Sequence, residues 1–288
     1  MKILVIGGTG TVGSQLVSEL LSRKASVRIL TRDSSKYQHM NRTIDWVQGD
    51  LEVPGSFEKA FEQVDAVFLL NGLAQTETSQ GIIAVDAARK AGVPKIVYLS
   101  VPMHAHMTHI PHIKSKIGVE EAIKQSGMKY TIIRPNNFFQ NDNWFREAIL
   151  QYGIYPQPLG SVGLNRVDVG DIAYAAANAL LMGGYEGKEY PLNGPEVLTG
   201  EAIAEAYSRH AGTAVRYAGD NLDAWYQQAV TTMPEWLAQD FQVMYAAFQK
   251  FGCLGTEQDF IRQQELLQRE PRSFDAFVSE TVARWKMG

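Results

Sequence analysis

KILVIGGTGTVGSQLVSEL, residues 2–20, joins a short apolar strand pattern to a helical pattern through a run of glycines spaced three apart. Glycines at this spacing allow a tight turn, a close approach of backbone N–H groups to a pyrophosphate, and close packing of helix against strand. The N-terminus of the following helix adds unpaired N–H groups and a positive dipole. These features predict a dinucleotide-binding loop, with a merely tight turn as the alternative. The residues of this loop are Gly7, Thr9, Gly10, Thr11, Val12 and Gly13.

The alternation of strand and helix patterns continues along the first half of the chain. Between the strand patterns lie segments with apolar residues three and four positions apart, such as residues 12–23 and 81–92. Strands that are apolar nearly throughout are buried on both faces, so we predict an α/β fold with a doubly wound parallel sheet of Rossmann type. A closed barrel would need about eight such units, which is more than the pattern supplies. The predicted strands are KILVIG, SVRILT, IDWVQGD, DAVFLL, KIVYLS and YTIIRP.

The character of the sequence changes after about residue 155. A connection at 155–163 precedes a helical pattern, a short strand pattern near 189–194, and a helical tail rich in aromatic residues and methionine. We expect residues 1–155 to form an NAD(P)-binding domain. Residues 156–288 are expected to form a smaller, mostly helical substrate-side lobe, and interleaving of the two parts is left open.

Composition and charge exclude several classes of protein. Of the 288 residues, 45% are hydrophobic and 20% are charged, which is typical of a globular protein. A net charge of −4 gives no reason to expect a nucleic-acid partner. No stretch approaches the roughly 20 apolar residues of a membrane span, and the apolar run at the start is too short for a signal peptide. With Cys253 as its single cysteine, the chain is expected to be cytoplasmic.

The end of the second predicted strand indicates which dinucleotide binds. An NAD site usually places an acidic residue there, whereas the 2′-phosphate of NADP calls for a cation. Arg32 directly follows the strand, and Lys36 stands close behind it. We therefore favour NADP(H) over NAD(H), with Asp33 as the residue that would reverse this preference. A solvated charge at the strand end is the alternative for Arg32.

Two further strand ends point to the same edge of the sheet. Asp50 and Leu51 follow the third strand, where they are placed to contact an adenine. Asn71 and Gly72 follow the fourth strand and are expected beside the path of the cofactor.

With these motifs in place, the chain resembles the NmrA-like group of atypical short-chain dehydrogenases/reductases, which includes NADPH-dependent quinone reductases and cofactor-sensing regulators. The resemblance covers nearly the whole chain and depends on the order of several segments. These are GGTGTVG, TRDSSK, GDLEVPGS, AARKAGVPKIVYLS, HIPHIKSKIGVEEAIKQSGMKYTIIRPNNFFQN, VDVGDIAYAAANAL and PLNGPEVLTGEAIAEAYS.

The resemblance implies a catalytic group at the fifth strand and the following helix. Well-known members of the superfamily use a serine, together with a tyrosine four residues before a lysine that holds the nicotinamide ribose. Ser100 and Lys116 match the serine and the lysine, but His112 stands in the place of the tyrosine. Residues four apart on a helix share a face, so we expect His112 and Lys116 to look toward the nicotinamide. Histidine exchanges protons near neutral pH, which makes His112 a candidate acid or a substrate contact.

The histidine-rich stretch MHAHMTHIPHIK, residues 103–114, raises the alternative of a metal site. Its spacing matches none of the common ligand patterns, and the stretch contains no carboxylate. We expect no metal. The loop follows a strand end and overhangs the ligand crevice, so its histidines, His104 among them, are expected to shape the substrate pocket.

The stretch RPNNFFQN after the sixth strand lies over the same sheet edge. In relatives this region faces the nicotinamide and the substrate, which implies cofactor contacts from Pro135 and Asn136 and substrate contacts from Asn137 and Phe138. Aromatic rings suit a flat apolar ligand, with simple core filling as the alternative.

Two classes of function fit the sequence. The first is an NADPH-dependent oxidoreductase that transfers hydride to a quinone-like or other conjugated small-molecule acceptor. The second is a non-catalytic NADP(H)-binding redox sensor that regulates a protein partner. Loss of the tyrosine favours the sensor, whereas retention of Ser100 and Lys116 favours the enzyme. Homodimerisation is left open.

Overall fold

The computed structural model describes residues 1–37 and 43–287. Its strands are β1 (Lys2–Ile6), β2 (Ser26–Thr31), β3 (Asp45–Gln48), β4 (Ala66–Leu69), β5 (Lys95–Leu99), β6 (Lys129–Pro135), β7 (Ile154–Tyr155), β8 (Lys188–Leu192) and β9 (Arg216–Tyr217). Its α-helices are α1 (Thr11–Ser22), α2 (Glu77–Lys90), α3 (Pro111–Gln125), α4 (Arg146–Leu150), α5 (Val169–Leu181), α6 (Gly200–Ala211), α7 (Leu222–Ala229), α8 (Glu235–Phe251), α9 (Glu257–Leu267) and α10 (Phe274–Met287).

A parallel sheet in the order β3-β2-β1-β4-β5-β6-β8 forms the centre of the molecule. The chain passes from β3 at one edge to β4 at the centre, so the strand order reverses between the neighbours β1 and β4, whose register pairs Val5 with Phe68. Such a reversal opens a crevice at the carboxyl ends of the strands, where ligands bind in doubly wound folds. The predicted fold class and the six predicted strands of the first half are confirmed.

Helices cover both faces of the sheet. Successive strand residues point to opposite sides, so every side chain of a central strand is buried under one helical layer or the other. Ile3 and Val5 of β1 pack in the core under α1 and α5. Leu4 and Ile6 of the same strand pack in the core under α2 and α3. Strands buried on both faces must be apolar throughout, which explains the unbroken apolar runs in the sequence.

The strand near residues 189–194 was expected in the smaller lobe, but it forms part of the central sheet. This strand is β8, and it pairs in parallel with β6. Helix α5 also follows residue 155 and packs on the sheet. The structure thus adds α5 and β8 to the sheet of the first part. The domain boundary at residue 155 stays a prediction.

Most of the remaining C-terminal residues form a third core, together with residues from the loop after β5, the start of α3 and the segment after β6. Its centre contains a fully buried ion pair in which Arg166 Nη2 lies 2.9 Å from Asp142 Oδ1. The hydroxyls of Tyr155 and Tyr207 both donate to the Asp142 carboxylate, each at 3.1 Å. A charge removed from water needs this degree of hydrogen bonding. No helix within the described ranges is long and apolar enough to cross a membrane.

Candidate active site

The glycine loop is built for close backbone contact. Gly7 has φ +80°, and a Cβ atom there would lie 2.7 Å from the Leu70 carbonyl oxygen. A Cβ atom at Gly13 would lie 2.0 Å from the Gly7 carbonyl oxygen, so α1 can approach β1 only with glycine at this position. Gly10 is the N-cap of α1 and has no side chain to cap the helix. The first-turn N–H groups therefore remain available to an anionic ligand.

A groove runs along the carboxyl ends of β1, β2 and β4. It brings together nine of the predicted cofactor residues: Gly7, Thr9, Gly10, Arg32, Lys36, Asp50, Leu51, Asn71 and Gly72. Thr11 is exposed at the start of α1, Val12 is buried in the core, and Gly13 is the packing contact of the loop. The groove thus extends from the helix N-terminus to the cations that follow β2.

Two cations line the far end of the groove, beside the acids Asp33 and Glu52. Arg32 and Lys36 are both exposed there. Asp33 is already engaged by Ser35, whose backbone N–H and hydroxyl donate to its carboxylate at 3.1 and 2.5 Å. The hydrogen bond from Ser35 lowers the pKa of Asp33, and Lys36 Nζ lies 3.5 Å from its carboxylate. Asp33, the residue that favoured NAD, is therefore a locally satisfied carboxylate.

Asn71 is an orphaned polar group in the wall of the groove. The residue is 5% exposed, and neither Oδ1 nor Nδ2 has a hydrogen-bond partner among residues 1–37 and 43–287. A buried unpaired amide costs about 1–3 kcal/mol, and each such group in a native structure calls for an explanation. Rotation of the amide toward the groove would let a ligand with polar edges satisfy it. The groove therefore fits a bound dinucleotide.

A second pocket of about 230 Å³ adjoins the groove, and Leu73 lines both. One wall comes from the loop after β5 and the start of α3, a second from the residues after β6, and a third from α8. Residues from these three segments include Ser100, Val101, Met107, His112, Ile113, Pro135, Asn136, Asn137, Phe138, Phe241, Met244, Tyr245 and Phe248. The lining is mainly apolar, as is usual in small-molecule sites.

His112 is held in this pocket by an acid from α8. Its Nδ1 lies 2.6 Å from Oδ1 of Asp240, and the side chains are 14% and 5% exposed. Pro111 occupies the first turn of α3, where its fixed φ suits the start of the helix. The structure thus presents an imidazole at the pocket wall with a buried carboxylate behind it.

Comparison with known proteins identifies the family. The model of the NmrA-like family matches residues 1–278. The chain belongs to the NmrA-like family. An NAD(P)H azoreductase from Xenophilus azovorans is 35% identical to this NmrA-like chain over 248 residues, 85% of this chain and 86% of that relative. The family resemblance seen in the sequence is confirmed.

Two solved structures share the NmrA-like fold of this chain. A triphenylmethane reductase from Citrobacter sp., solved with NADP(H), has a TM-score of 0.84 at 24% identity, covering 98% of this chain and all of the other, 100%. An NADPH-dependent quinone oxidoreductase from Escherichia coli, solved with NADPH, has a TM-score of 0.85 at 22% identity and covers 98% of this chain and 99% of that one. At these identities the likeness shows the fold.

Lys116 was expected beside the nicotinamide, but the structure does not bring it to the groove or the pocket. Its Nζ lies 2.5 Å from Glu77 Oε1, with the two side chains 7% and 2% exposed. Ser115 also donates to Glu77, at 2.8 Å. Glu77 is a buried acid in the first turn of α2 and holds the lysine there. Separation of the pair would leave an unpaired charge in the interior. A role of Lys116 at the ribose stays a prediction.

Ser100 lines the pocket, but its hydroxyl is already used. It donates to Glu120 Oε1 at 2.6 Å. Glu120 in turn accepts two hydrogen bonds from Arg134, at 3.0 and 2.6 Å. The proton of Ser100 thus points into an ion-pair network, and the catalytic role that the resemblance implied for it stays a prediction.

Pro135 at the end of β6 and the three residues after it line the pocket, and their predicted contacts with the cofactor and the substrate stay predictions. Asn136 Nδ2 donates to Asn193 Oδ1 at 3.0 Å and to the Cys253 carbonyl at 2.8 Å. Asn137 Oδ1 accepts from Arg166 Nε at 2.9 Å. Their amides are therefore tied to the protein, and Phe138 contributes an apolar surface.

His104 is separated from the pocket that contains His112. It lines a neighbouring polar pocket with Arg134, Glu189, Asp259 and others. Its ring stacks on His106 at 5.4 Å between centroids, and burial lowers the pKa of His104. Its predicted substrate contact stays a prediction. Within the described ranges, no three His, Cys, Asp or Glu side chains are placed to hold a metal ion.

Sequence reasoning missed the wall supplied by α8. The sequence analysis described this stretch only as part of a helical tail rich in aromatic residues and methionine, and it did not select Asp240. Phe241, Met244, Tyr245 and Phe248 line the pocket. The signal that would have pointed to Asp240 was its helical spacing, because this acid stands four residues before Met244 and eight before Phe248, on the apolar face of α8.

Proposed function

We propose that this protein is an NADPH-dependent reductase that transfers hydride to a quinone-like or other conjugated acceptor. One observation carries the proposal. The dinucleotide groove shares its lining residue Leu73 with an apolar pocket whose wall presents a histidine hydrogen-bonded to a buried carboxylate. A groove alone supports binding, whereas an adjoining pocket with a proton donor supports reduction of a second molecule.

The groove residues suit NADP(H). Backbone N–H groups of the glycine loop and of the α1 N-terminus would bind the pyrophosphate, and Leu51 would contact the adenine. Arg32 and Lys36 would bind the 2′-phosphate, because guanidinium and ammonium groups form strong charge-assisted hydrogen bonds with phosphate oxygens. Asn71 would gain the hydrogen bonds that it lacks. The same arrangement offers NAD(H) no free carboxylate at Asp33 for its ribose.

The residues of the pocket would position the acceptor and supply a proton. When bound, the dihydronicotinamide supplies the hydride. Reduction of a quinone consumes one hydride and one proton from NADPH and solvent and gives a hydroquinone and NADP⁺. The apolar walls would exclude water, and His112 would donate the proton to the acceptor oxygen. Alignment of two reactants in adjoining sites supplies much of the acceleration for an acceptor as reactive as a quinone.

The pocket favours flat, neutral acceptors. Phe138, Phe241 and Tyr245 offer aromatic surfaces. Among the lining residues from the described part of the chain there is no lysine or arginine to match a sulfonate or phosphate. We therefore expect neutral quinones and neutral azo compounds to react faster than their anionic analogues.

A redox sensor acting through a protein partner remains the competing proposal. Such a sensor needs the groove but has no use for an acceptor pocket with a held imidazole. These features support the reductase over the sensor. Homodimerisation and a regulatory partner stay predictions.

Purified protein incubated with NADPH and a panel of neutral and sulfonated quinones, azo dyes and enones tests the proposal. We expect loss of nicotinamide absorbance with neutral quinones, and slower loss when NADH replaces NADPH. Tight NADPH binding without turnover of any acceptor would refute the reductase and leave the sensor.

A further inference from the structure

We infer that Asp240 is a positioning residue that fixes the tautomer of His112 and stabilises its protonated form during proton donation. The inference rests on the proposed function, because it concerns the proton that accompanies hydride transfer. Asp240 lies 128 residues from His112 in sequence, on α8 rather than on the Rossmann-type sheet. The C-terminal part of the chain would then supply chemistry as well as a pocket wall.

The geometry assigns different tasks to the two ring nitrogens. Asp240 Oδ1 lies 2.6 Å from Nδ1, within hydrogen-bond distance, and the carboxylate is almost fully buried. A carboxylate accepts only, so in the neutral imidazole the proton resides on Nδ1. Nε2 is then the nitrogen that exchanges a proton with the acceptor. The ring of Phe241 stands edge-on to the imidazole, at 86° and 6.1 Å between centroids, and limits its rotation.

Three other ionisable groups near His112 are either paired with an opposite charge or neutral near pH 7. Lys116, one helical turn away, is matched by Glu77. Two other ionisable groups in the pocket lining stay neutral near pH 7, because burial raises the pKa of Tyr245 and raises that of Cys253 to about 12. The α3 N-terminus opposes a positive charge on the imidazole. Asp240 is the carboxylate in direct contact with the imidazole, and its charge would offset the positive charge of the ring during donation.

The burial of Asp240 argues against a merely structural pair. A buried carboxylate and imidazole usually stabilise a fold no more than apolar residues of the same size. Here the imidazole faces a cavity lined mainly by apolar side chains. An apolar side chain at this position would pack equally well. In the proton step, the Nε2–H bond breaks and an O–H bond forms on the acceptor. The neutral Nδ1–H tautomer remains, hydrogen-bonded to Asp240, and solvent restores the Nε2 proton.

Steady-state kinetics with NADPH and a neutral naphthoquinone test the assignment. We expect His112→Ala to lower kcat about 100-fold and Asp240→Asn to lower it about tenfold. Because Asp240 acts through His112, the double variant should be no slower than His112→Ala alone. Asp240→Glu, which keeps the charge, should recover part of the loss. Glu235→Gln, an exposed acid on the same helix, is the matched control and should leave kcat unchanged.

Nitrogen-15 NMR of the histidine side chains gives a readout that does not depend on turnover. We expect the Nδ1–H tautomer for neutral His112 in the wild type and in Asp240→Asn, whose amide oxygen still accepts. In Asp240→Ala the Nε2–H tautomer, which free imidazole side chains prefer, should return. Circular dichroism and NADPH titration of each variant separate these effects from misfolding.

The possible results are distinguishable. Additive kinetic losses in the double variant, or an Nε2–H tautomer in the wild type, would overturn the role of Asp240 while the reductase stands. Absence of wild-type turnover with every acceptor would overturn the reductase and, with it, the assignment of Asp240.

Discussion

The dinucleotide groove and the apolar pocket share the lining residue Leu73 but are built in different ways. The groove takes its residues from positions 6–80. It depends on backbone groups, because the glycine loop can approach a ligand and the neighbouring strand only where its residues have no side chain. The pocket takes side chains from positions 73–253, drawn from several strand ends and from α8. One site is encoded locally in the sequence, and the other exists only after the C-terminal part has packed. We therefore expect the groove to tolerate few changes and the pocket to be readily retuned.

The largest effect is expected at Lys116, which belongs to neither site in the structure. Lys116→Met would leave the Glu77 carboxylate buried without its cation, at a cost of about 3–5 kcal/mol in the free energy of unfolding. Chemical denaturation measures this loss. A double variant that also carries Glu77→Gln should recover much of it, and Lys114→Met, an exposed lysine on the same helix, should cost little. Unchanged stability with strongly weakened NADPH binding would instead assign Lys116 to the cofactor.

An intermediate effect is expected at the charged end of the groove. Arg32→Ala should raise the Kd for NADPH about 30-fold, or about 2 kcal/mol, because a charge-assisted contact with the 2′-phosphate is lost. The Kd for NADH, which has no such phosphate, should change little. Fluorescence titration with both cofactors measures the two values. Lys129→Ala, an exposed cation at the opposite edge of the sheet, is the matched control. Equal loss for both cofactors would remove the phosphate assignment.

The smallest effect is expected in the pocket wall. Phe241→Ala should raise the KM for a neutral quinone about fivefold, or about 1 kcal/mol, while the Kd for NADPH stays the same. Phe251→Ala removes a phenyl ring from the same helix outside the pocket and serves as the control. Weakened NADPH binding in Phe241→Ala, with an unchanged quinone KM, would show that the two sites are not divided as we describe.

The sequence predicted the groove well because its determinants are local. Glycine spacing, strand ends and the cation at Arg32 all lie within a few residues of the elements that position them. Strands β1 to β6 were predicted for the same reason. Strand β8 was placed in the smaller lobe because parallel pairing with β6 joins segments about 57 residues apart, beyond the reach of any periodic pattern.

The sequence predicted the pocket only in part. His112 was selected from its position four residues before Lys116, yet its partner Asp240 is remote in the chain. Lys116 follows the same helical spacing, but the spacing could not show that Glu77 faces it from α2. Helical spacing predicts which residues share a face of a helix, but it does not predict which residues from other elements pack against that face. Those opposing groups decide whether a titratable side chain is available for chemistry.

A crystal structure of the protein with NADP⁺ and a neutral quinone tests the division into two sites most directly. We predict the 2′-phosphate on Arg32, the pyrophosphate on the glycine loop, and the quinone between the walls formed by Phe138 and α8, with one oxygen toward Nε2 of His112. A quinone bound elsewhere, or a 2′-phosphate away from Arg32, would contradict the account.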